Sequence, residues 1–302
     1  MMDTRSTNIR THAPVLTIVV ALVIASVAFR VLVWQGLNHT SLVFIGLPAI
    51  LAVVTALMPT PRTATGMIMR VVTLSLLLAG VLLGEAMVCI LFAAPIFYLV
   101  GLICGLLIDM ARRRKDTHLD LRMITLVALM FTPPSLEGVL PGFAFGREEH
   151  VSVSRTVAGS PEEVAAALAQ TPRFTQPLPL FLRLGFPTPG ATSGNGIDIG
   201  STRRVEFMHG HHPGALTLTV RQTGVDHVQF EAVMDDSYIV HWLAWRGADV
   251  RWRAAGPGQT EVTWTLAYRR RLDPAWYFKP LERYGVRQAA AYLIDTLATP
   301  SK

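Results

Sequence analysis

The densest cluster of side chains that could do chemistry is a run of histidines, His209, His211 and His212, with His227 and His241 further along the chain. Imidazoles at this density suggest a transition metal, but such a site needs three or four ligands converging on one point, each oriented by further hydrogen bonds. His211 and His212 are neighbours, and neighbouring side chains on a strand point to opposite faces. The spacing therefore predicts a solvent-exposed hairpin turn, with no metal site. Nucleophilic catalysis finds less support. No Gly-x-Ser-x-Gly stretch occurs, and Ser201, in Gly200-Ser201-Thr202, has no His and Asp partners that the sequence identifies. No glycine loop of the phosphate-cradling kind is present either, and no cofactor is expected. Asp198, Glu206, Glu231, Asp235 and Asp236 could move a proton if two of them faced an apolar cavity, because burial raises a carboxylate pKa toward neutrality. Their positions in turns and on outer faces predict solvated groups instead, so no catalytic residue is assigned.

Aromatic residues carry more information. Trp242, Trp245, Trp252, Trp264, Trp276, Tyr238, Tyr268 and Phe278 gather in the last predicted strands and the approach to the final helix, where they either line a cavity or fill a core. Arg269-Arg270-Arg271 ends a strand just ahead of that helix, placed to meet lipid headgroups or to be solvated.

The elements that must position these residues begin near residue 148. Val151, Val153, Arg155 and Val157 alternate with polar residues as an opening strand. Ser160-Pro161-Glu162-Glu163 supplies an N-cap, a first-turn Pro and a capping-box Glu for a helix reaching about residue 170. An irregular Pro- and Gly-rich stretch over 171–200 follows, carrying Phe174, Leu178, Leu180, Phe181, Leu182, Leu184 and Phe186, more apolar surface than an idle loop exposes. From Ser201 the period is two, with turn signals at His209-Gly210, Gly224-Val225-Asp226 and Asp235-Asp236-Ser237, so meandering antiparallel strands are predicted. Further strands fall at 238–245, 250–255 and 261–271, the last with Val262, Trp264, Leu266 and Tyr268 on one face. A closing helix after Asp273-Pro274 carries Leu281, Tyr284, Ala289, Leu293 and Leu297 at helical spacing. The predicted class is an α+β helix-grip domain over 148–302, a curved antiparallel sheet around a long C-terminal helix.

Residues 1–147 read differently. The chain is 51% hydrophobic and only 16% charged, outside the usual soluble range. Residues 1–147 hold 11 Lys+Arg against 6 Asp+Glu, and residues 148–302 hold 16 against 15. The net charge of +6 thus lies mostly in the apolar half, which argues for orientation of membrane helices and against nucleic-acid binding. Apolar runs at about 15–34, 41–58, 68–84, 87–109 and 119–140 are long enough to predict a multi-pass α-helical membrane region of four to five helices. The first run has a signal-peptide alternative, with Arg5 and Arg10 ahead of it and Ser26-Val27-Ala28 as a cleavage candidate; its continuation to Trp34 and the later runs favour a span. The fifth, broken by Pro133, Pro134 and Glu137, either crosses or dips in and returns. Arg5/Arg10, Arg62/Arg70 and Arg112-Arg113-Arg114-Lys115 fall on every second connection, placing the N-terminus in the cytoplasm and, if the fifth segment crosses, the polar domain outside it. Glu85, in Gly84-Glu85-Ala86, is either an intramembrane carboxylate or a loop-end residue among headgroups. Cys89 and Cys104 sit in an apolar run, where a disulfide framework is not expected.

The order of elements resembles the START/polyketide-cyclase (SRPBCC) superfamily, and several stretches resemble its bacterial members: Ala158-Gly159-Ser160-Pro161-Glu162-Glu163-Val164 after the first strand, Ile199-Gly200-Ser201-Thr202-Arg203 leading to Phe207, Thr260-Glu261-Val262-Thr263-Trp264 to Tyr268, and Leu272-Asp273-Pro274-Ala275-Trp276-Tyr277-Phe278 before the last helix. Residues 1–147 are similar to the membrane segments that some bacterial members carry. The resemblance implies a deep apolar cavity between sheet and helix, taking lipids, sterols, polyketides or other hydrophobic molecules, and does not fix one chemistry. Its candidate lining here is Phe207, Leu218, Phe230, Trp242, Trp264, Tyr268 and Tyr284. The expected protein is a START-like domain tethered to the bacterial inner membrane that binds a lipid or other hydrophobic small molecule without covalent chemistry. A cyclase, dehydratase or isomerase, favoured by a carboxylate, His or Tyr pair in the cavity, is the second expectation. A membrane-bound protein-interaction module, favoured by a cavity filled with its own side chains, is the third.

Overall fold

Few charges interrupt residues 64–82 and 87–113, and the backbone there satisfies its polar groups within helices, α1 (Ala64–Leu82) and α2 (Met87–Arg113). The computed structural model describes residues 61–82, 87–113, 125, 129, 136–139, 145–184, 186–209 and 212–299. The chain divides into two units, Met1–Thr132 and Pro133–Lys302. In the first, α1 and α2 run antiparallel, and the one carboxylate of α2 joins them: Asp109 accepts from the Ala64 N–H (2.7 Å), the Thr65 N–H (3.0 Å) and the Thr65 hydroxyl (2.7 Å). A carboxylate at the far end of one helix thus caps the open N–H groups of its neighbour, where the helix dipole favours negative charge. Gly101 and Gly105 permit the close approach, since a Cβ on Gly105 would stand 2.5 Å from the Thr65 Cα. Thr73 and Tyr98 share a hydroxyl hydrogen bond (2.9 Å) further along.

Among the described residues, Phe92–Arg112, with mean hydropathy 2.1, is the stretch long and apolar enough to cross a membrane, and the apolar part of α1, Ala64–Ala79, is shorter. Met67, Val71, Phe97, Leu102 and Leu106 stand exposed on the pair. One such helix is what the described residues offer toward the four or five expected. The segments at 15–34 and 41–58, and Glu85, lie outside those residues, and 119–140 is described only at residues 125, 129 and 136–139. Residues 136–139 form a turn that belongs to the second unit.

The second unit opens with β1 (Glu148–Ala158) and α3 (Pro161–Ala169). The predicted capping box is complete: the Ser160 hydroxyl accepts from the Glu163 N–H (3.3 Å) and the Glu163 carboxylate from the Ser160 N–H (2.8 Å). A 3-10 turn at Leu182–Leu184 precedes β2 (Thr188–Ser193), β3 (Thr202–His209), β4 (His212–Thr223) and β5 (His227–Asp235). A second 3-10 turn, Tyr238–His241, leads to β6 (Leu243–Gly256), β7 (Gln259–Arg270) and α4 (Ala275–Leu297). The seven strands form one antiparallel sheet in the order β1-β7-β6-β5-β4-β3-β2. Together with α4 lying on β1 and β7, this is the helix-grip arrangement.

Two elements differ from the expectation. β2 lies inside the stretch expected to be irregular: Pro189 and Gly190 hide its alternation, and both are tolerated because β2 is an edge strand whose pairing with β3 shifts register between Pro189 and Thr192. Residues 238–241 turn instead of extending, and the strands expected at 238–245 and 250–255 merge into the single β6.

Register shifts between β4 and β5, at Thr217/Leu218 and again at Val220/Gln222, and between β6 and β7 at Trp245/Gly247, bend the sheet around α4. Gly247 adopts φ 156, and a Cβ there would collide with the Phe230 carbonyl oxygen on the paired strand. Gly247→Ala is therefore expected to lower stability by about 1–3 kcal/mol, read as a fall in the thermal midpoint of the sheet's circular dichroism.

The core between sheet and helix is built by β7, whose Val262, Trp264, Leu266 and Tyr268, expected on one face, are buried, with Val151, Val250 and Trp252 and with Val286, Ala290 and Ile294 of α4. Each buried aliphatic side chain of this kind contributes roughly 1.5–3 kcal/mol against exposure.

Polar groups hold the first turns of α4. Its N-cap, Pro274, offers no capping side chain, and the Ala275 N–H instead donates to Glu137 (2.9 Å), from the turn at residues 136–139. Arg270, wholly buried at the end of β7, donates through Nη1 to the Leu272 carbonyl and to Asp273 Oδ1 (2.8 Å), and its Nη2 lies 3.7 Å from Glu137. Arg147 closes on the other Asp273 oxygen (2.5 Å). Glu282 on α4 is 9% exposed with neither carboxylate oxygen hydrogen-bonded by a side chain, and burial pushes its pKa up to about 8 against the pull of Arg270. The buried Tyr268 hydroxyl is pushed well above its usual range by burial, with the Glu282 and Glu149 charges adding to the effect. Burial also resists ionisation of Glu149, yet hydrogen bonds from Lys279 (2.6 Å) and Arg283 (2.9 Å) outweigh it and hold that carboxyl below its usual range, tying β1 to α4.

Candidate ligand cavity

Strand alternation sends every second side chain of β3 to β7 toward α4, and the curvature set by the bulges keeps sheet and helix from closing completely. A cavity of about 170 Å3 remains. Its walls are Val205 and Phe207 of β3, Leu216 and Leu218 of β4, Phe230 of β5, Trp245, Gly247 and Ala248 of β6, Trp264 and Leu266 of β7, and Ala289, Tyr292, Leu293 and Leu297 of α4. The Pro-rich segment after α3 covers it with Pro172, Phe174, Leu178, Leu182, Phe186, Pro187 and Pro189, and Ile239 of the second 3-10 turn completes the wall.

Two polar side chains interrupt this apolar lining. The Tyr292 hydroxyl is spent on the Gln176 carbonyl (2.8 Å). Arg203, in phase with Val205 and Phe207 on β3, is the charged residue of the lining and is only 4% exposed. Its Nη2 donates to the carbonyls of Leu168 and Gly196, the latter at 2.9 Å, and its guanidinium carbon sits 4.9 Å from the centre of the Phe230 ring. Burial pulls its pKa down to about 10, which leaves it cationic at neutral pH.

Of the sequence-derived candidates, Phe207, Leu218, Phe230 and Trp264 line the cavity. Trp242, Tyr268 and Tyr284 are placed elsewhere. Trp242 meets Phe186 edge-on (5.3 Å) from behind, Tyr268 is sealed in the core beside Trp245 (6.2 Å), and Tyr284, 48% exposed, meets Phe181 edge-on (4.9 Å). The carboxylates weighed for proton transfer stay outside: Asp198, Glu206, Glu231 and Asp236 are exposed, and Asp235 accepts from the Ser237 hydroxyl (2.5 Å). Ser201 stands in the turn before β3, its N–H donating to the Asp198 carbonyl (3.0 Å). His209 and His212 pair across the β3–β4 hairpin, whose tip, including His211, lies outside the described residues; His227 lies beside Asp226 (3.1 Å). Among the described residues no three His, Cys, Asp or Glu side chains converge as a metal site. Arg203 was legible only as part of a motif; the signal that marks it is a charge in phase with the inward Val205 and Phe207.

No family model matches the sequence, and no curated protein does. Solved structures similar to it include the Zhui aromatase/cyclase from Streptomyces sp. R1128, 13% identical over 50% of this chain and 92% of that one with a TM-score of 0.36. A START superfamily protein from Mycobacterium smegmatis is 15% identical over 49% of this chain and 96% of that one, with a TM-score of 0.35. Truncated norcoclaurine synthase from Thalictrum flavum is 13% identical over 51% and 94%, with a TM-score of 0.37. By its own topology the second unit is a helix-grip domain enclosing an apolar cavity.

Proposed function

We propose that the second unit binds a hydrophobic small molecule or lipid in this cavity, without covalent chemistry, and that the apolar N-terminal half anchors it to a membrane through several helices. The observation that carries the binding reading is the cavity itself, roofed by α4 and the Pro-rich segment and lined almost wholly by aliphatic and aromatic side chains. Apolar surface withdrawn from water contributes about 25 cal/mol per Å2 to such binding. The anchor reading is supported by the apolar residues exposed on α1 and α2 and by basic residues recurring on alternate connections.

The enzymatic alternative needs a carboxylate, His or Tyr pair at the cavity, and of these residue types the described lining holds Tyr292, whose hydroxyl donates to the Gln176 carbonyl. The interaction-module alternative needs a cavity filled from within, and this one has open volume.

Trp245 and Trp264 in the wall report directly on occupancy. Brominated hydrophobic ligands added to the full chain in detergent are expected to quench tryptophan fluorescence saturably. Ala289→Phe, which fills the cavity from the α4 side, is expected to weaken that phase about tenfold or more. Equal quenching in both proteins would place binding outside the cavity and sink the reading.

A further inference from the structure

Arg203 is held in a way that leaves a buried cation incompletely answered. Taking a guanidinium out of water costs several kcal/mol unless a counter-charge and hydrogen bonds replace its hydration. Among the described residues no carboxylate pairs with it: Glu206 points to the outer face of β3 and Asp198 is exposed in the preceding turn. Both hydrogen bonds that hold it use Nη2, one of them to the Leu168 carbonyl in the last turn of α3, where the helix dipole offers partial negative charge. The face of Phe230 adds a cation–π contact. Nε remains buried with no partner among the described residues. The buried indole Nε1 of Trp264, also a wall residue, is unpaired as well. The polar capacity that these lining residues leave unspent is therefore donor capacity, beside a positive charge.

Resting on the binding reading above, we infer that the cavity takes an amphiphile with an acidic head group, a carboxylate or a phosphate, and that Arg203 receives this group while the apolar walls take the chain. Arg203 is then a specificity-determining residue: an anion beside it supplies the counter-charge and an acceptor, whereas a neutral hydrocarbon leaves the guanidinium as it is. The bonds to Leu168 and Gly196 fix the side chain so that little is lost in ordering it when a ligand arrives.

The test compares dodecanoic acid, dodecyl phosphate and dodecan-1-ol on the full chain in detergent at pH 8, each competing against a neutral brominated probe. At least one of the two acids is expected to bind about tenfold tighter than the alcohol or better, and which one does names the head group. Arg203→Met should remove that preference, and Arg203→Lys should retain part of it. Acid and alcohol binding equally to the unaltered protein overturns the inference and leaves the cavity reading standing, and this arm needs no variant to fold. An acid preference that survives in Arg203→Met overturns it too, since the charge is then read elsewhere. If none of the three displaces the probe, the binding reading falls and takes the inference with it.

Discussion

Replacing Arg270 by methionine is expected to lower the stability of the helix-grip unit by about 3–5 kcal/mol at pH 7, the cost of removing one partner from a buried ionic cluster. The reason is the company it keeps. Arg270 is wholly buried, and its guanidinium faces Glu137, Asp273 and Glu282 with only Arg147 to share the burden on Asp273. Without it Glu137 and Asp273 lose the buried cation they share, and the Leu272 and Asp273 oxygens that Nη1 served lose their donor. Methionine keeps the length and apolar stem, so the loss reports the charge and its hydrogen bonds. Urea unfolding followed by tryptophan fluorescence at pH 7 measures it. A loss under about 1 kcal/mol at pH 7 would mean that the cluster does not hold α4 to the sheet.

Glu282→Gln should flatten the dependence of stability on pH. With a pKa raised from 4.5 to about 8, Glu282 holds its proton in the folded protein across a range where the unfolded chain has released it. The folded state binds more protons there, so stability is highest below about pH 4.5 and falls as pH rises through about 8, by at most about 1.4 kcal/mol per pH unit for this one group. Allowing for solvent that reaches the site, the total is on the order of 3 kcal/mol. Gln cannot ionise, and the variant should lose this slope. Because a buried amide has needs of its own, the readout is the difference in slope between pH 5 and pH 8 and not the stability at one pH. Parallel curves for the two proteins would show that Glu282 ionises normally in the folded state.

Much of the helix-grip unit was readable from local signals. Ser160 to Glu163 announced a helix start through chemistry that acts over three residues, and β7 announced itself because Val262, Trp264, Leu266 and Tyr268 share one buried face. Where local signals failed, the deciding contacts were distant. β2 is a strand only because β3 lies beside it to pair with Pro189 and Thr192. Glu137 looked like an interruption in an apolar segment, and it caps a helix that begins at Ala275. The cavity divides in the same way. Phe207, Leu218, Phe230 and Trp264 belong to strands whose inward phase is set by alternation, whereas Trp242 follows the turn at Tyr238–His241, Tyr268 is buried in the core and Tyr284 is 48% exposed on α4. No local rule gives those three.

The pairing of β1 with β7 carries a consequence for how the chain is made. Eleven consecutive residues of β1, from Glu148 to Ala158, find their partners only between Gln259 and Arg269, and α4, which lies on both strands, comes later still. Until a ribosome has added β7 and α4, the first strand has no neighbour and the cavity has no roof. A sheet closed by its most distant segments folds slowly, because the loop between them must be ordered before the pairing rewards it. The nascent domain therefore presents its apolar inner face until β7 and α4 have been made, a period in which a chaperone can cover that face, or a ligand already waiting at the open sheet can be enclosed.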